Sequence, residues 1–401
     1  MLITNAVVCD VNGERREDVL VEDGKVVAVG DGLESDVVID AKGAYLLPGL
    51  VDTNVRLKDA QLNAATLAKV ANEAQKGGVT RLVLAPDCTP SINDSIVLEF
   101  VQAHQKRENR VDLMSTIATV DEDERLSNIA ILLKNGAKAP YMTTAVSNNT
   151  ACRIAEYVKM HNTTLFCKAQ DTSLSSVGVM VEGAIATSLG LVGIPPFGEV
   201  VHVARMIEIA RKYEISIVFK SVASPRSIEL ISKAKEEGVD VSCEVSLHHL
   251  MQCDEACKDF NTTAKLNPPL PQKEARSALQ KALTEGKIDT LTLLHQPSSP
   301  VNKEVAFAEA AYGCEALADA YSLYYTKLVK SGMIEFSQLI KLAVQNPARS
   351  IGQDAGEIGV GQSADLVLFD PKAGYTLENS LSLYNTETLF GAVSPLKHLN
   401  S

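Results

Sequence analysis

The middle of the chain alternates short apolar runs with helical stretches, and this alternation limits the fold more than any other feature. Eight runs have the length and apolar content of strands, namely residues 51–57, 80–86, 111–119, 137–143, 164–169, 215–222, 240–246 and 290–296. Strands that are each followed by a helix or a long loop form parallel sheets. Eight of them fit a closed (β/α)₈ barrel, in which the working side chains lie at the C-terminal ends of the strands. We therefore predict an α/β fold with a TIM-like barrel over residues 51–349.

The two ends of the chain have a different pattern. The first residues form short alternating strands broken by glycines, such as Leu2 to Val8 and Lys25 to Val29, which is typical of an all-β unit. A further strand, Asp365 to Asp370, lies near the other end. We predict a small β-sandwich domain that is built from residues 1–50 and 350–401.

Composition excludes several classes of function. The formal net charge is -12, whereas non-specific nucleic-acid binding needs a basic surface. No apolar run approaches the roughly 20 residues that cross a bilayer, and the first residues lack the basic segment of a signal peptide. We therefore expect a cytoplasmic protein with no nucleic-acid or membrane partner. The cysteines are scattered apart from Cys253 and Cys257, so we expect reduced thiols.

Several segments resemble those of one enzyme family and follow the same order along the chain. They are residues 48–57, 85–90, 182–196, 244–250, 265–270 and 361–367. Together they are similar to the bacterial dihydroorotases, which are metal-dependent amidohydrolases. This resemblance implies an amidohydrolase-type barrel in which a metal-bound water attacks a cyclic amide.

One departure concerns the C-terminal end. In the resembling family, a strand pair that completes the sandwich follows the position of Thr386, whereas this chain stops at Ser401. We expect the sandwich sheet to be incomplete or to be completed by a partner.

The strand-end positions that bind metal in that family carry other residues here. These degenerate positions are Asn54 and Arg56 on the first strand, Met142 and Thr143 on the fourth, Lys168 on the fifth and Ser221 on the sixth. Leu294 stands where the family has its catalytic aspartate. An arginine is a permanent cation with no lone pair to offer a metal. We therefore expect no catalytic residue, no bound metal and no cofactor.

The mouth of the predicted barrel is rich in positive charge. The residues that we expect to line a ligand pocket there are Arg56, Lys58, Asp87, Lys168, Asn267 and His295. By the resemblance, Lys58 stands for a substrate-binding arginine and lacks its two-pronged grip on a carboxylate. Asp87 stands for a substrate-binding asparagine, and Asn267 is retained. Neighbouring cations repel a metal ion, and they can either pair with local acids or hold an anion.

These departures predict a non-catalytic dihydroorotase homologue. The resemblance implies a structural or regulatory subunit for aspartate transcarbamoylase in pyrimidine biosynthesis, within a homo- or hetero-oligomer. One alternative is an amidohydrolase-fold enzyme, a dihydroorotase or another cyclic-amide hydrolase, with an atypical or metal-free site. Its candidate residues are Lys168, Asp171, His295 and Cys167, since a lysine among cations can have a lowered pKa and act as a base or nucleophile. A second alternative is a sensor of anionic metabolites.

Overall fold

The computed structural model describes residues 1–108, 110–174 and 177–396. In these ranges the strands are β1 (Leu2–Thr4), β2 (Val7–Asp10), β3 (Gly13–Arg16), β4 (Val19–Glu22), β5 (Lys25–Val29), β6 (Val38–Asp40), β7 (Tyr45–Pro48), β8 (Leu50–Val55), β9 (Val79–Leu84), β10 (Asp112–Ser115), β11 (Ile117–Ala118), β12 (Pro140–Met142), β13 (Thr164–Lys168), β14 (Met180–Val181), β15 (Gly193–Ile194), β16 (Ser216–Lys220), β17 (Val241–Ser246), β18 (Thr290–Thr292), β19 (Leu366–Thr376) and β20 (Thr388–Pro395). The α-helices are α1 (Ala64–Gly77), α2 (Ser95–Gln105), α3 (Ile129–Lys134), α4 (Asn148–Met160), α5 (Ala184–Leu189), α6 (Phe197–Tyr213), α7 (Pro225–Glu236), α8 (Leu247–Met251), α9 (Lys273–Thr284), α10 (Pro300–Lys303), α11 (Ala320–Tyr324), α12 (Phe336–Ile340) and α13 (Asn346–Ser350). Short 3₁₀ segments lie at Lys58–Ala60, Thr172–Leu174, Asp254–Phe260, Thr262–Ala264 and Leu317–Asp319, and π-helical segments lie at Tyr325–Val329 and Lys341–Gln345. None of the helices in these ranges is both long and apolar enough to span a bilayer.

Parallel strands form the barrel. β8, β9 and β10 are neighbours, and β11, β12, β13, β16, β17 and β18 follow in that order. β10 and β11 act as one strand that changes partner at Thr116, whose N–H donates to Leu84 (3.0 Å) before the chain turns to β12. The ring closes where the N–H of Arg56 donates to the carbonyl oxygen of His295 (2.9 Å). Each of the eight predicted strands is present, and the predicted fold class is confirmed.

Strands from both ends of the chain form the small β domain. One sheet has the order β5-β4-β1-β6, and the other has the order β20-β19-β7-β2-β3. Its core is a separate buried cluster that includes Ile3, Val8, Val19 and Leu46. The larger cluster of the barrel is filled by apolar side chains of strands and surrounding helices.

The C-terminal sheet contains a strand that the sequence pattern did not indicate. The predicted strand at 365–370 continues as β19 and pairs antiparallel with β20. α11 and the π-helical segment after it also contact β20, since Ser322 Oγ donates to the carbonyl oxygen of Gly391 (2.7 Å) and the N–H of Phe390 donates to Thr326 Oγ1 (2.8 Å). The apolar run that predicts the strand ends at Asp370, and Pro371 and Gly374 in the second half of β19 are residues that are uncommon in strands.

Local signals define the helices around the barrel mouth. α7 begins with Pro225, and Gly238 beyond its end has a φ of 83°. Proline suits the first helical position, and glycine suits the left-handed position after the last turn. α1 begins after Asn63, whose Oδ1 accepts the N–H groups of Ala65 and Thr66 (3.0 Å each). These caps fix where the loops over the mouth begin and end.

Candidate active site

Side chains along each barrel strand point alternately into and out of the barrel, and this alternation decides which of them enter the mouth. Phe166 and Val218 belong to the apolar cluster that fills the barrel interior. Successive side chains of a strand point to opposite faces, so Lys168 and Lys220, two positions further on, also point inward. The two lysines are register partners on β13 and β16. Two cations therefore enter the mouth from neighbouring strands.

Glu244, on β17, is the anionic centre of the interior. It is fully buried and accepts hydrogen bonds from Asn54 Nδ2 (2.7 Å), from Thr53 Oγ1 (3.3 Å) and from the Lys220 ammonium. Lys220 is also fully buried, donates to Thr53 Oγ1 (2.7 Å) and lies 4.4 Å from the centroid of the Phe166 ring. Burial lowers the pKa of Lys220, and Glu244 opposes that shift. The charge of Lys220 therefore depends on Glu244, which the sequence analysis did not identify as a site residue.

Three of the residues that stand at the family's metal-binding positions are hydrogen-bonded to one another. Asn54 Nδ2 donates to Ser221 Oγ (2.7 Å), and Arg56 Nη1 donates to Asn54 Oδ1 (2.9 Å). Ser221 has a φ of 56°, a left-handed conformation that is uncommon for serine and often marks a functional site. The amide and the hydroxyl are thus engaged within the protein, and a guanidinium lies beside them.

The resembling family uses a metal, and the donor set of this mouth does not fit one. A divalent ion held by protein side chains in such a barrel needs about three His, Cys or carboxylate ligands. In the part of the chain that the structure describes, no group of three or more such side chains could hold an ion. Arg56, Lys168 and Lys220 supply positive charge instead, and the nearby carboxylate of Glu244 is already paired with Lys220.

Arg56 and Asp87 form the second ion pair of the mouth. Arg56 Nε donates to Asp87 Oδ2 (2.9 Å), and the arginine is buried whereas the aspartate is half-buried. Burial opposes the charge of Arg56, but Asp87 and Tyr141 hold its pKa above the ordinary value. Tyr141, on β12, is buried beside this guanidinium, and burial raises the pKa of its hydroxyl. Tyr141 is a site residue that the sequence analysis missed, because tyrosine on a strand is most often a core residue.

Lys168 differs from Arg56 and Lys220 because it has no counter-ion among the residues that the structure describes. Its side chain is half-buried, and within the described ranges its ammonium makes no hydrogen bond or ion pair. Burial and then the neighbouring Arg56 lower the pKa of Lys168 to about 8, with Asp87 acting in the opposite direction. A lysine with this pKa is partly neutral near physiological pH, so it can accept a proton or act as a nucleophile.

Other predicted positions add little to this arrangement. Met142 is buried in the cluster shared with the helices, and Thr143 follows the end of β12. Leu294 is buried with a φ of 46°, and its N–H donates to Thr292 Oγ1 (2.9 Å). Two further predicted pocket residues, Lys58 and Asn267, are half-buried in segments that follow β8 and α8.

His295, which we expected in the ligand pocket, and Cys167, a candidate residue of the alternative enzyme, both point away from the mouth. His295 Nδ1 accepts the N–H groups of Ala316 and Leu317 (3.2 Å each), and its Nε2 is 3.3 Å from Glu73 on α1. Cys167 Sγ is 3.3 Å from a histidine of α6. Burial raises the pKa of Cys167 to about 12, so this thiol is not an activated nucleophile. Cys167 lies between the inward-pointing Phe166 and Lys168 on β13, so its side chain points out of the barrel. His295 points away because the chain leaves β18 through the left-handed turn at Leu294.

Three buried histidines make the stability of this protein sensitive to acid. Burial lowers the pKa of His202 to about 4, of His248 to about 3 and of His249 to about 4. These values lie below the ordinary pKa of histidine near 6.5, so below that pH the unfolded chain binds more protons than the folded protein. The free energy of unfolding therefore falls towards pH 4, by up to about 1.4 kcal/mol per pH unit for each histidine. Urea titrations between pH 7 and pH 5 should show a smaller decrease for His249→Gln than for the exposed control His161→Gln. Equal slopes in both variants would contradict this assignment.

Comparisons with known proteins agree with the architecture. The L-hydantoinase of Arthrobacter aurescens superposes with a TM-score of 0.85 over 98% of this chain and 93% of that protein, at 21% identity. The dihydropyrimidinase of Brevibacillus agri gives 0.81 over 98% and 92%, also at 21% identity. At this identity the likeness concerns the fold alone, which is the amidohydrolase barrel with an attached β domain.

Sequence relatives define the family. A family model described as Dihydro-orotase-like matches residues 43–221. The dihydroorotase of Caldanaerobacter subterraneus subsp. tengcongensis is 34% identical over 390 residues, which cover 94% of this chain and 89% of the relative. The dihydroorotase of Elusimicrobium minutum is 35% identical over 379 residues, 92% of this chain and 88% of the relative. This chain belongs to the dihydroorotase-like family of the amidohydrolases.

These relatives correct the prediction of a non-catalytic subunit. That prediction was based on the loss of the metal ligands, yet proteins that share a third of their residues over nearly the whole chain are named dihydroorotase. The findings support the alternative of an amidohydrolase-fold enzyme with an atypical site.

Proposed function

We propose that this chain opens a cyclic amide of the dihydroorotate kind, or closes it in the reverse reaction, with the amine of Lys168 as the base. Relatives at 32–35% identity that are named dihydroorotase support the reaction class. The inward-pointing, unpaired Lys168 with its lowered pKa is the observation that carries the proposal.

The chemistry needs one proton to move twice. Water attacks the ring carbonyl carbon while the neutral amine of Lys168 takes a proton from it, so a C–O bond forms and the amine becomes an ammonium. The ring C–N bond then breaks, and the ammonium returns the proton to the leaving nitrogen. One water is consumed, a carboxylic acid and an open-chain N–H are formed, and the lysine is restored.

Arg56 is the group that stabilises the charge on the carbonyl oxygen. Asp87 holds its Nε and Asn54 holds its Nη1, which fixes the plane of the guanidinium and leaves Nη2 engaged by neither. A cation that is held in place needs little reorganisation as negative charge develops on the oxygen. No step uses a metal, because the donor set does not fit one.

Turnover of the purified chain tests this proposal directly. Dihydroorotate and carbamoyl aspartate are each supplied, with and without a chelator, and substrate and product are separated by chromatography. We expect turnover in at least one direction that the chelator leaves unchanged. Activity that the chelator abolishes would contradict the metal-free mechanism. Thermal stabilisation by either compound without any turnover would contradict the enzyme proposal and favour the anionic-metabolite sensor.

Association with the catalytic subunit of aspartate transcarbamoylase stays a prediction from the family resemblance. A mixture of the two purified proteins from one organism, examined by analytical ultracentrifugation, should contain a species heavier than either protein alone. Independent sedimentation at micromolar concentration would contradict the association and would leave the proposed chemistry unaffected.

A further inference from the structure

The loop that follows β18 crosses the rim of the barrel mouth, and we call its residues 297–313 the strap. Near its start, the N–H of Ser299 donates to Asp59 Oδ1 (2.8 Å), in the segment that follows β8. Near its end, the Tyr312 hydroxyl donates to the carbonyl oxygen of Gly178 (3.3 Å), in the segment that follows β13. Since the loops after parallel strands share the C-terminal face of a barrel, the strap spans part of the mouth.

Two lysines connect the strap to the segment that follows β17. Lys265 belongs to that segment, and its Nζ donates to the carbonyl oxygens of Ala308 (2.8 Å) and Ala310 (2.7 Å) in the strap. Lys303 belongs to the strap, and its Nζ donates in the other direction, to the carbonyl oxygen of Thr262 (3.0 Å). Both lysine side chains are buried. The two ammonium groups therefore bond the strap to its neighbour through backbone oxygens.

Neither ammonium group has a carboxylate partner among the residues that the structure describes. The charged or titratable groups that act on Lys303 are the Lys265 ammonium and the thiol of Cys314, which itself lies 3.3 Å from His248 Nε2. The ring centroid of Tyr312 lies 4.7 Å from Lys265 Nζ and offsets part of its charge. Two like charges that are shielded from water repel each other, so this pair is costly while both lysines are charged.

Burial favours the neutral form of both amines. It lowers the pKa of Lys303 to about 8, a shift that Cys314 opposes and Lys265 increases. Burial also lowers the pKa of Lys265. A neutral amine keeps two N–H groups, enough for the two carbonyl oxygens that each lysine contacts, the second for Lys303 being that of Ala311 (2.7 Å). The strap can therefore stay bonded when the pair loses its charge, and the repulsion is then removed.

Few apolar side chains hold the strap closed. Of residues 300–312, all of which the structure describes, the buried apolar ones are Phe307 and Ala310. Segments with few buried apolar contacts open at a low cost in free energy. In an open strap both ammonium groups would be hydrated, with the ordinary lysine pKa near 10.4. Above pH 8 the open form therefore binds more protons than the closed form, so an increase in pH favours closure.

We propose that Lys265 and Lys303 are positioning residues that hold the strap over the mouth, and that the strap closes more fully as this pair loses its charge. Closure then falls in the pH range in which Lys168 becomes neutral, so the mouth is shielded from bulk solvent when the base is active. The link to turnover rests on the proposed function, whereas closure of the strap does not.

Hydrogen exchange of the full chain, followed by mass spectrometry, tests the closure. Exchange of the strap peptides is corrected for the intrinsic dependence of amide exchange on pH. We expect protection of the strap in the wild type to increase by about tenfold or more between pH 7.5 and pH 9.5, because the two forms differ in bound protons over this range. Lys303→Gln keeps two N–H donors and does not titrate, so its increase should stay below about threefold. Lys258→Gln, at an exposed position of the segment Asp254–Phe260, should behave as the wild type does.

Kinetics connect the strap to the proposed reaction. In the wild type, the KM for dihydroorotate should fall over the same pH range while kcat rises through Lys168. Lys303→Gln should keep the rise of kcat and lose the fall of KM. A general structural defect would instead lower kcat at every pH, so the separation of the two constants identifies a positioning role.

Three results would overturn the inference. They are protection of the strap that does not change with pH in the wild type, an equal increase of protection in Lys303→Gln, and a fall of KM that Lys303→Gln retains. Circular dichroism shows whether this variant is folded, and the comparison of pH values in the wild type needs no variant. Absence of turnover in the separate assay with dihydroorotate would contradict the proposed enzyme, and hydrogen exchange would still decide whether the strap closes.

Discussion

Replacing Lys220 by methionine is expected to lower the free energy of unfolding by about 3–5 kcal/mol, because it leaves the carboxylate of Glu244 buried without its counter-ion. Both side chains are fully buried, and the remaining donors to Glu244 would be Asn54 and Thr53. Methionine keeps most of the side-chain volume of lysine, so the decrease in the free energy of unfolding is caused by the removal of the charge and not by a new cavity. Urea-induced unfolding followed by circular dichroism measures the change.

Two further variants separate the ion pair from other causes. Lys220→Met combined with Glu244→Leu removes both charges and should recover most of the lost stability, since a buried pair replaced by apolar groups is often neutral or stabilising. Lys159→Met breaks an exposed pair with Glu214 and should leave stability almost unchanged, because solvent screens such pairs. A Lys220→Met variant as stable as the wild type would show that Glu244 is not charged in the folded protein.

Replacing Lys168 by methionine is expected to lower kcat for the ring-opening reaction by about 100-fold or more, the usual contribution of a general base. The activity of the wild type should rise as the pH increases through about 8, because only the neutral amine accepts a proton and the pKa of Lys168 is lowered to about 8. Initial rates measured at pH values on both sides of 8 give kcat and its dependence on pH. The rise should be absent from any residual activity of the variant.

The control for this variant is Lys212→Met, the same change at an exposed position on α6. It should leave kcat and the pH profile as in the wild type. Lys168→Arg keeps the positive charge and removes the base, so it should be as inactive as Lys168→Met. Normal activity in Lys168→Arg would mean that Lys168 acts through its charge alone, which contradicts its role as the base.

The mouth of this barrel shows how charge is arranged where metal ligands are missing. Of Arg56, Lys168 and Lys220, two have a carboxylate partner, Arg56 with Asp87 and Lys220 with Glu244. In each pair the carboxylate stabilises the charged form of its cation. The third cation, Lys168, has none among the described residues, and its amine is therefore the group that is free to react.

The sequence predicted the barrel well and the site only in part. Strand periodicity is local, so each of the eight strands could be located before the structure was known. Tyr141 escaped notice because no neighbouring motif marks its strand as functional. Glu244 escaped notice because the family-like segment 244–250 was used only as a sign of the fold. His295 was assigned to the pocket because it neighbours Leu294, the position of the catalytic aspartate in the resembling family, yet the turn at Leu294 sends its ring towards α1. Such a change of direction depends on one backbone angle and leaves no pattern in the residues.

By itself, the sequence determined the succession of strands and helices, and with it the barrel and its attached β domain. This succession is visible in the sequence because hydrophobic periodicity is a pattern of residues that are close along the chain. It also determined that arginine, lysine, asparagine and serine stand at the strand ends. Only the tertiary structure decided which of these groups are paired. Arg56 meets Asp87 and Lys220 meets Glu244 across strands, whereas Lys168 meets no carboxylate in the described ranges. Closure of the barrel sets those distances, and a pKa follows from them.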